Sequence, residues 1–238
     1  MNILIQFPTY ARPDKFLKCL EKYLYMSSSI HHLHFNINCD EDDSLCNNSK
    51  FVGDVCGLFE EKENCTFSLK FDKNTNKISA INDHIDARFF DFDVVICASD
   101  DMIPQQQGWD DVIAKDMNEF FPKLNGALHY FDGYQKESLI TLSILGRELY
   151  NHFGYIYHPD YKSLYCDNEF TQSVYNLGRV KYIDNLIIKH EHYGEEGNSN
   201  SGDFDASAQK TLRYAGRDQV VFERRKQLGF PKQRITND

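Results

Sequence analysis

Two aspartates, Asp100 and Asp101, stand side by side directly after the most apolar stretch of the chain, Val94-Val95-Ile96-Cys97-Ala98. Like charges held together at the end of a buried strand raise each other's pKa unless a cation or hydrogen-bond donors compensate. A divalent metal is the simplest compensator. Mn²⁺ or Mg²⁺ takes hard oxygen ligands, uses one or two carboxylates, and leaves its other positions to phosphate oxygens and water. The competing role for the pair is to end the strand and cap the turn before Pro104. A third carboxylate, Asp40, ends a strand candidate that starts His34-Phe35-Asn36-Ile37-Asn38, and Thr9 follows Ile3-Leu4-Ile5-Gln6-Phe7 after Pro8.

The elements around these residues read as an α/β fold. Residues 3–7 form a strand that Pro8 breaks, and Phe16, Leu17, Leu20 and Leu24 then recur at helical spacing. Strands are expected over 34–38 and 66–71, the latter followed by a helix with Ile78, Ile81, Ile85 and Phe89 on one face. Residues 92–98, apolar on both faces, suit the centre of a parallel sheet. Strand-helix units leading to a central strand imply right-handed crossovers and a ligand crevice beyond the strands' carboxyl ends, where Thr9, Asp40, Asp100 and Asp101 would converge. Further on, strands are expected over 126–131, 139–145 and 180–188, and helices over 167–177 and from Ala206 to about Leu228. Residues 194–205 read as a Gly/Ser/Asn/Glu loop without apolar periodicity.

With 238 residues, 41% of them apolar, the chain has material for one sizeable core. Its longest apolar runs reach about a quarter of the ~20 residues that cross a bilayer, so no stable membrane insertion is expected. The N-terminus lacks a basic segment followed by a cleavable apolar stretch, so a cytoplasmic location is expected. Seven cysteines, without a CxxC pair, suit reduced core thiols and argue against zinc. The formal net charge of −10 disfavours a surface built to neutralise phosphates, but the balance is uneven. Residues 206–238 hold eight Lys or Arg against three Asp or Glu, a basic C-terminal helical tail after a body over 1–205. Such a tail suits either a polyanionic partner or packing against the acidic body.

Four segments in order carry a resemblance. Residues 3–13, ending Pro8-Thr9-Tyr10-Ala11-Arg12-Pro13, resemble the opening strand and nucleotide loop of GT-A glycosyltransferases, especially the large inverting family 2 with its bacterial and phage members. Asn76-Lys77-Ile78-Ser79-Ala80-Ile81-Asn82 is similar to that family's helix beneath the sugar nucleotide, and Ser99-Asp100-Asp101 to its Asp-x-Asp motif with Ser in the first position. Tyr165-Cys166-Asp167-Asn168-Glu169-Phe170 is similar to the segment carrying the acceptor-side Asp, with Cys166 where Glu is common.

The resemblance implies a Rossmann-like, mixed but mainly parallel sheet flanked by helices, and transfer of a sugar from a nucleoside diphosphate to a hydroxyl with inversion. It implies metal at Asp101, a general base at Asp167, and donor contacts from Pro8, Thr9, Tyr10, Arg12, Asp40, Lys77, Asn82, Ser99 and Asp100. His190-Glu191-His192 follows a strand whose alternation turns both imidazoles to one side. The resemblance gives His190 and His192 a place in the metal shell or on the diphosphate. The acceptor stays open among a glycan, a lipid-linked glycan and modified DNA, and the composition suits a phage, viral or bacterial protein. Asp167 can equally open a helix, since Asp satisfies free N–H groups there. Trp109 reads as a helix-packing aromatic or a sugar platform, and Tyr155, Tyr157, His158 and Tyr161 as an acceptor platform or chance clustering. Two other classes stand beside the transferase: a nucleotidyltransferase, which would want a glycine-rich phosphate loop that residues 7–13 lack, and a non-catalytic sugar-nucleotide or glycan-binding module.

Overall fold

Alternating strand and helix signals in the first hundred residues fold into consecutive strand-helix units in a computed structural model, which describes residues 1–74, 76–85, 90–191 and 206–230. The order is β1 (Asn2–Thr9), α1 (Pro13–Tyr25), β2 (His32–Asp40), α2 (Ser49–Phe59), β3 (Cys65–Asp72), α3 (Lys77–Asn82) and β4 (Val94–Cys97). These four strands are parallel, with β1 between β2 and β4. Pro8 does not end β1, which runs to Thr9. On one side Pro8 stands opposite Asn38, while β4 pairs only with Ile3 to Gln6, so β4 needs no N–H from position 8. Pro13 opens α1, where its missing N–H costs nothing, and Phe16, Leu20, Tyr23 and Leu24 bury that helix's inner face.

Past β4 come β5 (Met102–Pro104), α4 (Trp109–Phe120), β6 (Ala127–Tyr130), β7 (Ile144–Gly146), α5 (Arg147–Phe153), α6 (Cys166–Asn176), β8 (Val180–Ile183), β9 (Ile188–His190), α7 (Ala206–Leu212) and α8 (Ala215–Leu228). The seven-stranded sheet has the order β3-β2-β1-β4-β7-β6-β8, and β7 runs antiparallel to both its neighbours. A separate two-stranded pair joins β5 to β9. One apolar cluster lies between the sheet and α1, α2 and α4; a second lies on the opposite face against α3, α5, α6 and α8.

Several expected boundaries move. The helix expected to reach Phe89 stops at Asn82, because Asp83 is extended and His84 takes φ 59°; Phe89 lies outside the described residues. The strand expected over 139–145 contracts to β7, with Thr141 bonded to Asp132 and Ile140 N–H to Thr171 instead of a ladder. The single strand over 180–188 divides, because β8 joins the main sheet while Ile188 begins β9 against β5. The tail helix also divides, at residues 213–214. The loop expected over 194–205 lies outside the described residues.

Three amides interrupt the apolar strands and place α3. Gln6, Asn36 and Asn38 are all buried. Gln6 Nε2 donates to the carbonyls of Ala80 and Asp83 at 3.1 and 2.9 Å, and Asn38 Nδ2 donates to Ala80 at 2.9 Å. Asn36 Nδ2 donates to Gln6 Oε1 at 2.7 Å. The free C-terminal carbonyls of a six-residue helix are thereby satisfied from the sheet below, while Asn76 and Ser79 form a capping box at its start.

Candidate active site

The adjacent ends of β2, β1 and β4 bring Asp40, Thr9 and the Asp100-Asp101 pair to one edge of the sheet. Asp101 lies in the tight turn between β4 and β5, closed by Met102 N–H on the Ser99 carbonyl at 3.0 Å. Cys19 of α1 supports that turn with its Sγ 3.4 Å from the Met102 carbonyl oxygen. Met102 pairs with His190 across β5 and β9, and Glu191 N–H donates to the Asp101 carbonyl at 2.7 Å. This register sets His190 Nε2 3.6 Å from Asp101 Oδ1. The Ser99 hydroxyl donates to the same carboxylate. Burial by itself would raise the Asp101 pKa, but hydrogen bonds from His190 and Ser99, with the charges of His190 and Lys77, hold it well below the usual carboxylate range.

Asp101 therefore stays ionised, a carboxylate of the kind that Mn²⁺ and Mg²⁺ accept, with an imidazole nitrogen beside it. His192 lies outside the described residues. Asp100 is used differently. Arg12 Nη1 lies 3.2 Å and Lys15 Nζ 3.9 Å from its Oδ1. Burial raises the Asp100 pKa, Asp101 adds to that rise, and Arg12 and Lys15 oppose it. The pair is thus split by environment: one carboxylate faces His190 and the other the cations of α1 and its preceding loop.

Asp167 sits in the first turn of α6, after the cap residue Tyr165, and its Oδ1 accepts the Asn168 N–H at 2.9 Å. Burial raises its pKa, against the lowering effect of that hydrogen bond and of Lys77 and His190. Lys77 opens α3 and is exposed at the surface. Desolvation works against its ammonium, and surrounding negative groups, Asp101 and Asp167 among them, more than offset this and raise its pKa. Asp101 and Asp167 thus both bear on the charge of Lys77, although 24 and 90 positions separate them from it.

At the other end, Thr9 Oγ1 is buried with no hydrogen-bond partner among the described residues, which fits a pocket that completes its bonding with a ligand. Asp40 is buried and its carboxylate is bound by Lys210 of α7. The same ammonium lies 3.9 Å above the Tyr10 ring. Pro8 stays in the β1 ladder. Asn82 is turned away: its Nδ2 donates to the Tyr157 carbonyl at 2.6 Å and its Oδ1 accepts Ile156 and Tyr157 N–H groups, which makes it a clamp on residues 156–157.

Of the candidate aromatic platforms, Trp109, Tyr157 and Tyr161 pack inward, whereas Tyr155 and His158 are half-buried and line a small cavity with Phe153 and Phe170. Trp109 is fully buried, donates to the Tyr23 carbonyl at 3.1 Å and meets that ring edge-on at 5.2 Å. Tyr157 shares a hydrogen bond with Ser143, and Tyr161 donates to Glu169. Six cysteines are buried, Cys56 is exposed, and all seven are free. Sequence reasoning missed Lys210 and Lys15, whose partners lie 170 and 85 positions away. It also missed the cluster Asp72, Asp83 and His84 at the exposed rim beyond β3, where His84 Nε2 and Asp72 Oδ2 are 2.6 Å apart.

The strand order, the carboxylate turn after β4 and the flanking helices define the chain as a GT-A, Rossmann-like fold. It is similar to the mannosyltransferase PcManGT from Pyrobaculum calidifontis in complex with GDP-Man and Mn²⁺, with a TM-score of 0.62 and 14% identity over 82% of this chain and 58% of that one. It is similar to S. aureus TarS 1-349, with a TM-score of 0.58 and 15% identity over 79% of this chain and 60% of that one. Glucosyl-3-phosphoglycerate synthase from Mycobacterium tuberculosis, in complex with Mn²⁺, UDP and glucosyl-3-phosphoglycerate, matches at a TM-score of 0.54 and 9% identity over 97% of this chain and 81% of that one. The chain thus spans about three-fifths of the first two. No protein-family profile and no curated protein matches the sequence. Among the described residues, no helix is long and apolar enough to cross a membrane.

Proposed function

We propose that the protein is a metal-dependent glycosyltransferase that moves a sugar from a nucleoside diphosphate to a hydroxyl acceptor with inversion. The observation that carries this reading is Asp101 beside His190, 3.6 Å apart at the end of β4, and the electrostatic influence of Asp101 and Asp167 on Lys77 supports it. The neighbours described with GDP-Man, UDP, Mn²⁺ and Mg²⁺ support a donor and a dication of these kinds.

Asp101 and His190 would hold the metal. When bound, it supplies Lewis-acid stabilisation of the departing diphosphate. Lys77 adds a fixed positive charge where the leaving group gains negative charge, an arrangement that favours the transition state over the ground state. Asp167 accepts the proton of the acceptor hydroxyl as that oxygen bonds to the sugar's anomeric carbon and the bond from that carbon to the diphosphate oxygen breaks. One displacement by an oxygen on the opposite face inverts the anomeric centre. Arg12, with Asp100, shapes the diphosphate side of the pocket, and Thr9 and Tyr10 line the nucleoside side.

Asp40 can accept an N–H from uracil, thymine or guanine. Lys210 now pairs with it, so base binding exchanges an ammonium for a base N–H. The acceptor belongs to one of three hydroxyl-bearing classes: a glycan, a lipid-linked glycan or modified DNA. A thermal-shift screen of UDP, dTDP, GDP and CDP sugars with Mn²⁺ and Mg²⁺ tests the donor and metal together. A ligand that binds only the folded chain at a hundredfold excess over Kd stabilises it by about 2.7 kcal/mol. No shift with any of the four, with either metal, would reject the reading.

A further inference from the structure

Two charged side chains of α8, Asp218 and Arg225, are committed to the segment that carries Asp167. Residues 162–164, just before α6, belong to no strand or helix, and Tyr165 adopts φ 62° with no side-chain cap for α6. A tyrosine has no intrinsic preference for that left-handed backbone, so neighbouring structure has to hold it. The backbone N–H groups of Lys162, Ser163 and Leu164 all donate to the Asp218 carboxylate, at 3.1, 2.8 and 3.0 Å. Asp218 is 0% exposed, and Arg217 Nη1 donates to it at 2.8 Å.

Two turns further along α8, Arg225 donates to both carboxylate oxygens of Glu169 at 2.7 and 2.8 Å. The Tyr161 hydroxyl also donates to Glu169, at 2.8 Å. The tail helix therefore grips the chain on both sides of Asp167. From the opposite direction, Ile78 N–H donates to the Lys162 carbonyl at 3.3 Å, tying the same loop to α3 beside Lys77.

We propose that Asp218 and Arg225 are positioning residues that set the placement of Asp167 against Lys77 and Asp101. The inference rests on the reading of Asp167 as the proton acceptor. A carboxylate has the acceptor capacity for three N–H groups and an Arg. A carboxamide offers one oxygen and turns an NH₂ toward the remaining donors, so Asp218→Asn strips partners from this loop with almost no change of volume. Arg225→Lys keeps the charge and removes the two-pronged contact with Glu169.

The test uses the full chain with each variant separately, so that a failure of one to fold leaves the other. Amide hydrogen exchange of residues 161–170 is compared with that of β1 and β4. UDP, GDP, dTDP and CDP affinities with Mn²⁺ are measured by calorimetry, and turnover of the matching donor sugars is followed. Protection of residues 161–170 is expected to fall at least tenfold with β1 and β4 unchanged. Nucleotide Kd and donor KM should stay within twofold while kcat drops at least tenfold. Unchanged exchange in that segment overturns the proposal, as does a joint loss of kcat, nucleotide affinity and β1 protection, the pattern of a merely loosened fold. Full kcat in Asp167→Asn, or a wild-type chain that binds none of the four nucleotides, removes the underlying reading and the inference with it.

Discussion

Asp101 and Asp167 are both crowded carboxylates, but their surroundings push them in opposite directions. Donors from His190 and Ser99 hold Asp101 ionised, whereas burial raises the Asp167 pKa. Low basicity with a permanent charge suits a metal ligand; raised basicity suits a proton acceptor. Asp101→Asn is expected to abolish any extra thermal stabilisation that Mn²⁺ adds to a bound nucleotide, read as a thermal shift with and without the metal. Asp167→Asn should keep nucleotide affinity and lose roughly 10²–10⁴-fold in turnover. The base works only when deprotonated, so turnover should rise with pH through a value above the ordinary Asp pKa of about 3.9. An acid limb of the kcat profile at or below that value would assign the step to another group. These residue types were legible because carboxylates directly after an apolar run are chemically conspicuous. Lys210 was not, because nothing in a basic tail tells one lysine from the next.

Elements carry the second level of control, through polar groups inside an apolar sheet. Gln6 and Asn38 hold the end of α3 from below and the Asn76–Ser79 box holds its start, so Lys77 rests on a short helix fixed at both ends. Gln6→Met should cost about 1–3 kcal/mol by taking a donor from the Ala80 and Asp83 carbonyls, of which Ala80 keeps Asn38 alone, and an acceptor from Asn36 Nδ2. Asn76→Ala should cost about 1 kcal/mol through the lost cap. Urea unfolding measures both, and a loss under ~0.5 kcal/mol for Gln6→Met would mean that water reaches those carbonyls. Strand β4 could be read in advance because all four of its positions are buried and apolar. Strands β7 and β9 could not, since three-residue strands leave too few positions for any period to be seen, and their partners were chosen by packing.

The molecule as a whole is acidic with a basic end that folds back upon it. Lys210 reaches Asp40, Arg224 reaches Asp160, and Arg225 reaches Asp160 and Glu169. These cations are spent on the body, which leaves fewer of them for a polyanion. The chain with its tail intact is therefore expected to bind DNA weakly at 0.15 M salt, with a shallow dependence on salt concentration. A steep slope, measured by titration between 0.05 and 0.2 M salt, would show that the tail leaves the body to engage phosphates. Lys210→Ala should bind its nucleoside diphosphate several-fold more tightly in calorimetry, because the base then meets an uncontested Asp40. Weaker binding would instead make Lys210 part of the nucleotide pocket.

Periodicity and residue type alone determined the α/β class, the parallel centre of the sheet and the carboxylates at its edge, because burial of each strand and helix leaves a local pattern. Tertiary structure alone decided that His190 meets Asp101, that Lys210 covers Asp40, and that α8 holds the loop before Asp167. Those contacts join positions tens to more than a hundred residues apart. Each depends on how finished elements pack, and a one-dimensional pattern holds no record of the distance between two of its own distant points.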